Sequence, residues 1–167
     1  MKQRIIWVFV LGFALASAAA AQTKTSGTIS CAKPDPTYSL DVADRAGHAL
    51  GLSKYACTWT KGMVIAGVVT KDGTDVTASD SSGMRVRLSG YHVSNMANGD
   101  KIFVRFFGTE TEGKGGKPAT SAGRWSYTGG TGKFKGITGK GTYKGKTDAN
   151  GNIVSDVEGE YTLPAKK

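Results

Sequence analysis

Two histidines and two cysteines are all that 167 residues contain. A metal centre built on three histidines is therefore excluded, and no His/Asp/Glu cluster shows a metal-ligand spacing. No apolar run beyond the N-terminus approaches the roughly 18 residues that a membrane-crossing helix needs. Helix signals are nearly absent over the same length. Nucleotide motifs are missing as well. Gly108 to Lys114 spells G-x-x-x-x-G-K, but Gly115 stands where a phosphate loop needs Ser or Thr to hold magnesium, and no helix pattern follows. The glycines between 129 and 145 fail G-x-G-x-x-G and lack a strand-to-helix setting. The sequence thus predicts no cofactor and no metal.

What is present begins with an export signal. Lys2 and Arg4 precede the apolar run Ile5 to Ala16, and small residues follow up to Ala21, which predicts a signal peptide over residues 1–21. The remaining chain, residues 22–167, is long enough for one domain with its own core. No cysteine stands at the cleavage point, so lipid anchoring there is not expected. The product is expected to be secreted or periplasmic. In that compartment Cys31 and Cys57 are expected to pair, closing a loop worth about 3.5 kcal/mol on the chain-entropy model.

Formal charge is +9, of which Lys2 and Arg4 supply two units. A basic surface attracts nucleic acid, anionic lipid or acidic polysaccharide, but the lysines here are scattered between glycines. Neither a recognition helix nor a clear aromatic platform accompanies them, so nucleic acid is not an expected partner.

Short β-branched or aromatic runs separated by Gly, Asp, Asn and Ser predict an all-β fold. Strands are expected over 27–32, 50–60, 64–70, 84–94, 101–109, 121–128, 132–144 and 153–163. That set suffices to close an eight-stranded antiparallel β-barrel, which removes exposed edges. Asp72-Gly73, Asn98-Gly99-Asp100 and Asn150-Gly151-Asn152 are expected to form hairpin turns, and Lys114–Pro118 a loop. Pro34 and Pro36 leave room for a short helix only after them. On 101–109, Phe103, Arg105 and Phe107 share one face and Ile102, Val104 and Phe106 the other. Both faces being largely apolar, this strand is expected to be covered on both sides, by a loop or by another copy of the chain.

The segment from Arg124 to Lys146 is rich in glycine and lysine and has no carboxylate. Phe134 falls on an even position and Ile137 and Tyr143 on odd ones, which predicts a bulge or bend near Gly136. Glycines 139, 141 and 145 would permit the close strand approach and coiling that barrel closure demands. The run Tyr127-Thr128-Gly129-Gly130-Thr131-Gly132-Lys133-Phe134, followed by Gly136 and Gly139, resembles the Gly-Gly-(Ser/Thr)-Gly-x-Phe turn of the allene oxide cyclase and dirigent protein superfamily. The resemblance implies an eight-stranded, calycin-like barrel, a homo-oligomer (commonly a trimer) and an apolar cavity. It carries Gly129, Gly130, Gly132 and Phe134 over as turn and packing residues, beside the structural Gly136 read from the parity change, and it carries over no catalytic residue.

Candidate chemistry is sparse. His92 follows Tyr91 in a predicted strand, and a hydrogen-bonded structural histidine competes there with a catalytic one. Glu158 and Glu160 share a strand face, either as an acid–base pair or as a solvated face neutralised by lysines such as Lys144 and Lys146. Trp125 and Tyr127 share a face, and Trp59 comes from another strand; turned inward, they would line a ligand cavity. Arg85, Arg87 or Arg105, if inward, would have to meet a carboxylate or an anionic ligand. The expected ligand-binding set is Trp59, Arg105, Trp125 and Tyr127. The leading expectation is a non-enzymatic barrel that binds a small apolar or amphipathic molecule or serves as an interaction module. The alternatives are a cyclase- or isomerase-like enzyme using His92, Tyr127 or Glu160, and adhesion to anionic polymers through the lysine-rich hairpin.

Overall fold

The computed structural model describes residues 22–113, 115 and 117–165. The predicted export signal lies outside the described residues. The strands are β1 (Thr23–Cys31), β2 (Thr37–Asp41), β3 (His48–Lys61), β4 (Val64–Ile65), β5 (Val68–Ser82), β6 (Arg85–Met96), β7 (Lys101–Thr111), β8 (Thr120–Gly130), β9 (Thr138–Thr147) and β10 (Ile153–Thr162). Hydrogen-bonded neighbours run β3-β1-β10-β9-β8-β7-β6-β5, and β5 pairs back onto β3. Eight antiparallel strands thus close into a barrel, as the sequence and its resemblance predict. β2 lies outside the ring, paired to Ala49–Ser53 of β3, while Cys57–Lys61 of β3 pair with β1. Among the described residues no helix is long and apolar enough to cross a membrane.

Period-two alternation decides which side chains enter the barrel. On β9 it is unbroken: the lysines at 140, 144 and 146 are exposed, while Gly141, Tyr143 and Gly145 face in. One end of the barrel is plugged. Met63 and Ile65 on the β3–β5 connection meet Met96, Ile102, Phe134 and Ile137 there, and Ile65 and Phe134 have no exposed surface. Burying Phe134 alone contributes about 2 kcal/mol. Toward the other end a second cluster forms around Ile29 and the Cys31–Cys57 disulfide, which joins directly opposed residues of β1 and β3.

Several sequence expectations are corrected. The single strand over 64–70 is a hairpin, turning at Ala66 and Gly67, both with positive φ (49° and 80°). Asp72-Gly73 is not a turn; it lies inside β5, paired with β6 just after a register shift between Thr70 and Asp72. Gly73 is there for space, since a Cβ would stand 2.6 Å from the His92 ring. The segment 132–144 is not one strand. Gly132–Phe134 form a 3-10 turn that drives Phe134 into the plug, and β9 starts at Thr138. That loop, with Gly136 at φ 72°, accounts for the parity change; β8 pairs with β9 without a shift, and the register shift on β8 lies in its pairing with β7, opposite Phe103/Val104. Thr37–Asp41, where a helix was possible, is strand β2. On the outer face of β7 no described loop covers Phe107, which is 46% exposed with Arg105 stacked on its ring at 4.5 Å.

Candidate functional site in the barrel cavity

Between the plug and the opposite end lies a cavity of about 130 Å³, walled by Tyr55, Trp59, Phe106, Trp125, Tyr127 and Tyr143. Inward glycines make room for these rings. A Cβ on Gly141 would stand 2.5 Å from Trp125 Cζ2, and one on Gly123 would stand 2.6 Å from Tyr143 Cε1. Trp125 and Tyr127 meet edge to face with centroids 4.9 Å apart, and Phe106 and Tyr143 do so at 6.1 Å. Such pairs hold ring planes more firmly than area burial alone. The wall is therefore a fixed shape.

One side of the cavity is polar and carries a chain of hydrogen bonds. Asp75 on β5 is directly opposite His92 on β6, and its Oδ1 stands 2.5 Å from His92 Nδ1. His92 Nε2 is 2.6 Å from Ser94 Oγ, which also accepts the Trp59 indole N–H at 3.0 Å. The indole can only donate and the carboxylate accepts. With His92 neutral, its Nδ1–H donates to Asp75, and Nε2 accepts the Ser94 proton. Carboxylate, imidazole and hydroxyl stand in the order found where a base activates a serine. Ser94 itself has no exposed surface.

Two other polar atoms have no such partner. The hydroxyls of Tyr127 and Tyr143 are buried with no hydrogen-bonding atom in reach among the described residues. By contrast, the buried Tyr161 hydroxyl accepts the Ala66 N–H at 2.8 Å. Burial lifts the Tyr127 hydroxyl well above the usual phenol range, with Tyr161 adding to the effect. Tyr143 is pushed up to about 12, first by burial and then by the charges of Asp75 and Glu110. Both phenols are thus neutral around pH 7, and each can donate or accept one hydrogen bond.

Of the residues singled out in the sequence, Trp59, His92, Trp125 and Tyr127 come together at this cavity. Arg105, expected there, is exposed on the outside with its guanidinium on Phe107 and Tyr91. Arg85 and Arg87 are exposed as well. Glu160 is also outside, registered between Lys24 and Lys140, because β10 turns Ser155, Val157 and Tyr161 inward. Glu158 shares that outer face and accepts the Thr142 hydroxyl at 3.2 Å. Its neighbours are not the expected Lys144 and Lys146, which register with Asp156 and Val154. His48 is remote from His92 and bonds Asp44 and Asp80.

The glycine turn is structural. Gly129, Gly132 and Gly136 have positive φ, and a Cβ on Gly130 would stand 2.7 Å from Phe134 Cβ. Sequence reasoning missed Asp75, Ser94 and Tyr143. Ser94 was findable as the next inward residue after His92; Asp75 needed the strand register. Cys31, Cys57 and Asp75 also gather at one wall, but sulfurs joined in a disulfide offer no thiolate to a metal.

Comparison with known proteins assigns the chain to no family. No protein-family model matches the chain, and no curated protein matches it. Among solved structures it is similar to a pterocarpan synthase dirigent protein, at 12% identity, over 87% of this chain and 88% of that one, with a TM-score of 0.49.

Proposed function

We propose that this is an exported binding protein that takes a small, largely apolar, ring-bearing molecule into the barrel, with Tyr127 and Tyr143 meeting its polar group. The observation that carries the reading is the pair of buried phenol hydroxyls without partners in an aromatic-walled cavity. A buried hydroxyl left unpaired costs about 1–3 kcal/mol, so a molecule that supplies the missing hydrogen bond gains that much over one that does not. A dry cavity of about 150 Å³ is known to accept benzene, so the volume here suits one ring. Isothermal titration with phenethyl alcohol and 2-naphthol tests it. Saturable binding of either, abolished by Ser121→Phe at a position that lines the cavity, is the expected result; no binding of either would overturn the reading.

The order Asp75, His92, Ser94 favours a second reading, hydrolysis of a bound ester. Ser94 Oγ would add to the ester carbonyl as its proton passes to His92 Nε2. That proton would then leave on the departing alcohol oxygen, and water would release the acid by the same route. Phenyl acetate turnover lost in Ser94→Ala supports it. A wild-type protein that neither turns over phenyl acetate nor is labelled at Ser94 by a fluorophosphonate removes it.

A further inference from the structure

The charges of this protein are sorted by side of the sheet. Every Lys and Arg on the described strands is exposed, and none lines the cavity. The carboxylates are not so excluded. Asp75 lines the cavity, and Glu110 stands on the inward face of β7, registered with the buried Val86. A chain of formal charge +9 thus encloses an interior whose fixed carboxylates have no Lys or Arg beside them.

Asp75 is only half committed. Its Oδ1 is held by His92, whereas Oδ2 has the Cys31 sulfur beside it at 3.8 Å. A disulfide sulfur carries no proton to donate, so that contact leaves Oδ2 as an acceptor without a donor among the described residues. The wall around it is aromatic, and aromatic rings attract cations over their faces, most strongly where water is excluded. Independently, Tyr127 is 9% exposed and its hydroxyl has no partner, which marks the same cavity as a place for a ligand.

We infer that the ligand is an organic cation: a protonated aromatic or alicyclic amine whose ring fills the aromatic wall and whose ammonium group meets Asp75 Oδ2. This rests on the binding reading above and narrows it. An ammonium group donates to Oδ2 and to phenol oxygens, so one head group answers Asp75 and a tyrosine together. A carboxylate ligand of the same shape would instead meet Asp75 with like charge, and no Lys or Arg lines the cavity to pair it. The raised ionisation of Tyr143 comes first from burial, and the charges of Asp75 and Glu110 add to it. Fatty acids and other anions are thereby excluded from the cavity, even though the outer surface attracts them.

The test is a series of one shape and three charges at pH 7: phenethylamine, phenethyl alcohol and phenylacetate, titrated calorimetrically into the wild-type protein. Phenethylamine is expected to bind about tenfold more tightly than phenethyl alcohol, and phenylacetate not at all. Asp75→Asn should erase the preference for the amine while keeping the alcohol, whose retained binding reports an intact barrel. If that variant does not fold, the wild-type series decides alone. Phenethyl alcohol binding as tightly as the amine, or phenylacetate binding at all, overturns the cation assignment and leaves the binding reading standing. Failure of all three compounds overturns both.

Discussion

His92 Nδ1 and Asp75 Oδ1 stand 2.5 Å apart on directly paired residues of β6 and β5, so the barrel's own register makes this contact. Asp75→Ala removes the acceptor and leaves a buried ring N–H without a partner. The expected cost is about 1–3 kcal/mol, read as a lower urea midpoint at unchanged slope. Ser94→Ala orphans the Trp59 N–H and is expected to cost a similar amount. Because the two residues share His92, the double variant should fall short of the sum of the singles; strict additivity would show that the chain does not act as a unit.

Close approach of rings to glycine gives a second expectation. A Cβ at Gly141 would meet Trp125 Cζ2 at 2.5 Å and the Glu158 carbonyl oxygen more closely still. Neither a backbone carbonyl nor a ring wedged among neighbours moves away easily, so Gly141→Ala is expected to destabilise by about 1–3 kcal/mol. Gly99→Ala is a control for space: nothing lies within 4 Å, and its cost comes only from the positive φ of 86°. Thermal unfolding should rank Gly141→Ala below Gly99→Ala and also show red-shifted Trp emission only for the former.

How far the sequence led can be followed through these residues. The barrel was legible because β-branched and aromatic runs recur between turn residues and because Asn98-Gly99 and Asn150-Gly151-Asn152 mark true turns. The disulfide was legible from the cysteine count together with the expectation of export. Alternation tells which residues share a face, not which face is inside. With Phe103 and Phe107 on one side of β7 and Val104 and Phe106 on the other, Arg105 could not be placed by pattern alone. Asp75 was hidden for another reason. Asp72-Gly73 has the composition of a turn, and only the register shift between Thr70 and Asp72 carries β5 through it and sets Asp75 against His92.

The disulfide should matter to the barrel's seam. Cys31–Cys57 ties β1 to β3, a pairing of few residues interrupted by the register shift at Thr28/Ile29. Replacing both cysteines with alanine is expected to lower stability by about 3 kcal/mol, reported by denaturant unfolding without reductant. Intact-mass measurement after alkylation should find no free thiol in the wild-type protein; two alkylated cysteines would contradict the bridge.

Alkaline pH probes the interior tyrosines. Tyr143 ionises at about 12 in the fold against 10.0 as its ordinary value, so the folded state keeps a proton that the unfolded chain has begun to lose. Stability from this group is complete below pH 10 and declines as pH rises through 12. Tyr127 acts in the same direction. Glu110, raised by burial and by Glu112, follows the same sign in the acid range, where its share of stability is lost as pH rises through its folded value. Absorbance titration at about 295 nm should show a late tyrosine phase that Tyr143→Phe removes; an unchanged late phase would mean that Tyr143 is not shielded.

Replacing the orphaned phenols should separate stability from binding. Tyr127→Phe and Tyr143→Phe each delete a buried hydroxyl that no described residue satisfies, while keeping the ring. Removing an unpaired polar atom relieves a desolvation cost, so each variant is expected to be as stable as wild type or up to about 1 kcal/mol more stable. For a hydroxyl that served the fold through a hidden partner, the sign would be the opposite. Binding of phenethyl alcohol should weaken about tenfold in the same variants, because the ligand loses the hydrogen bond that offset its own desolvation. A more stable protein that binds less well is the signature of a group kept for its ligand. Loss of stability together with unchanged binding would assign both tyrosines to the core.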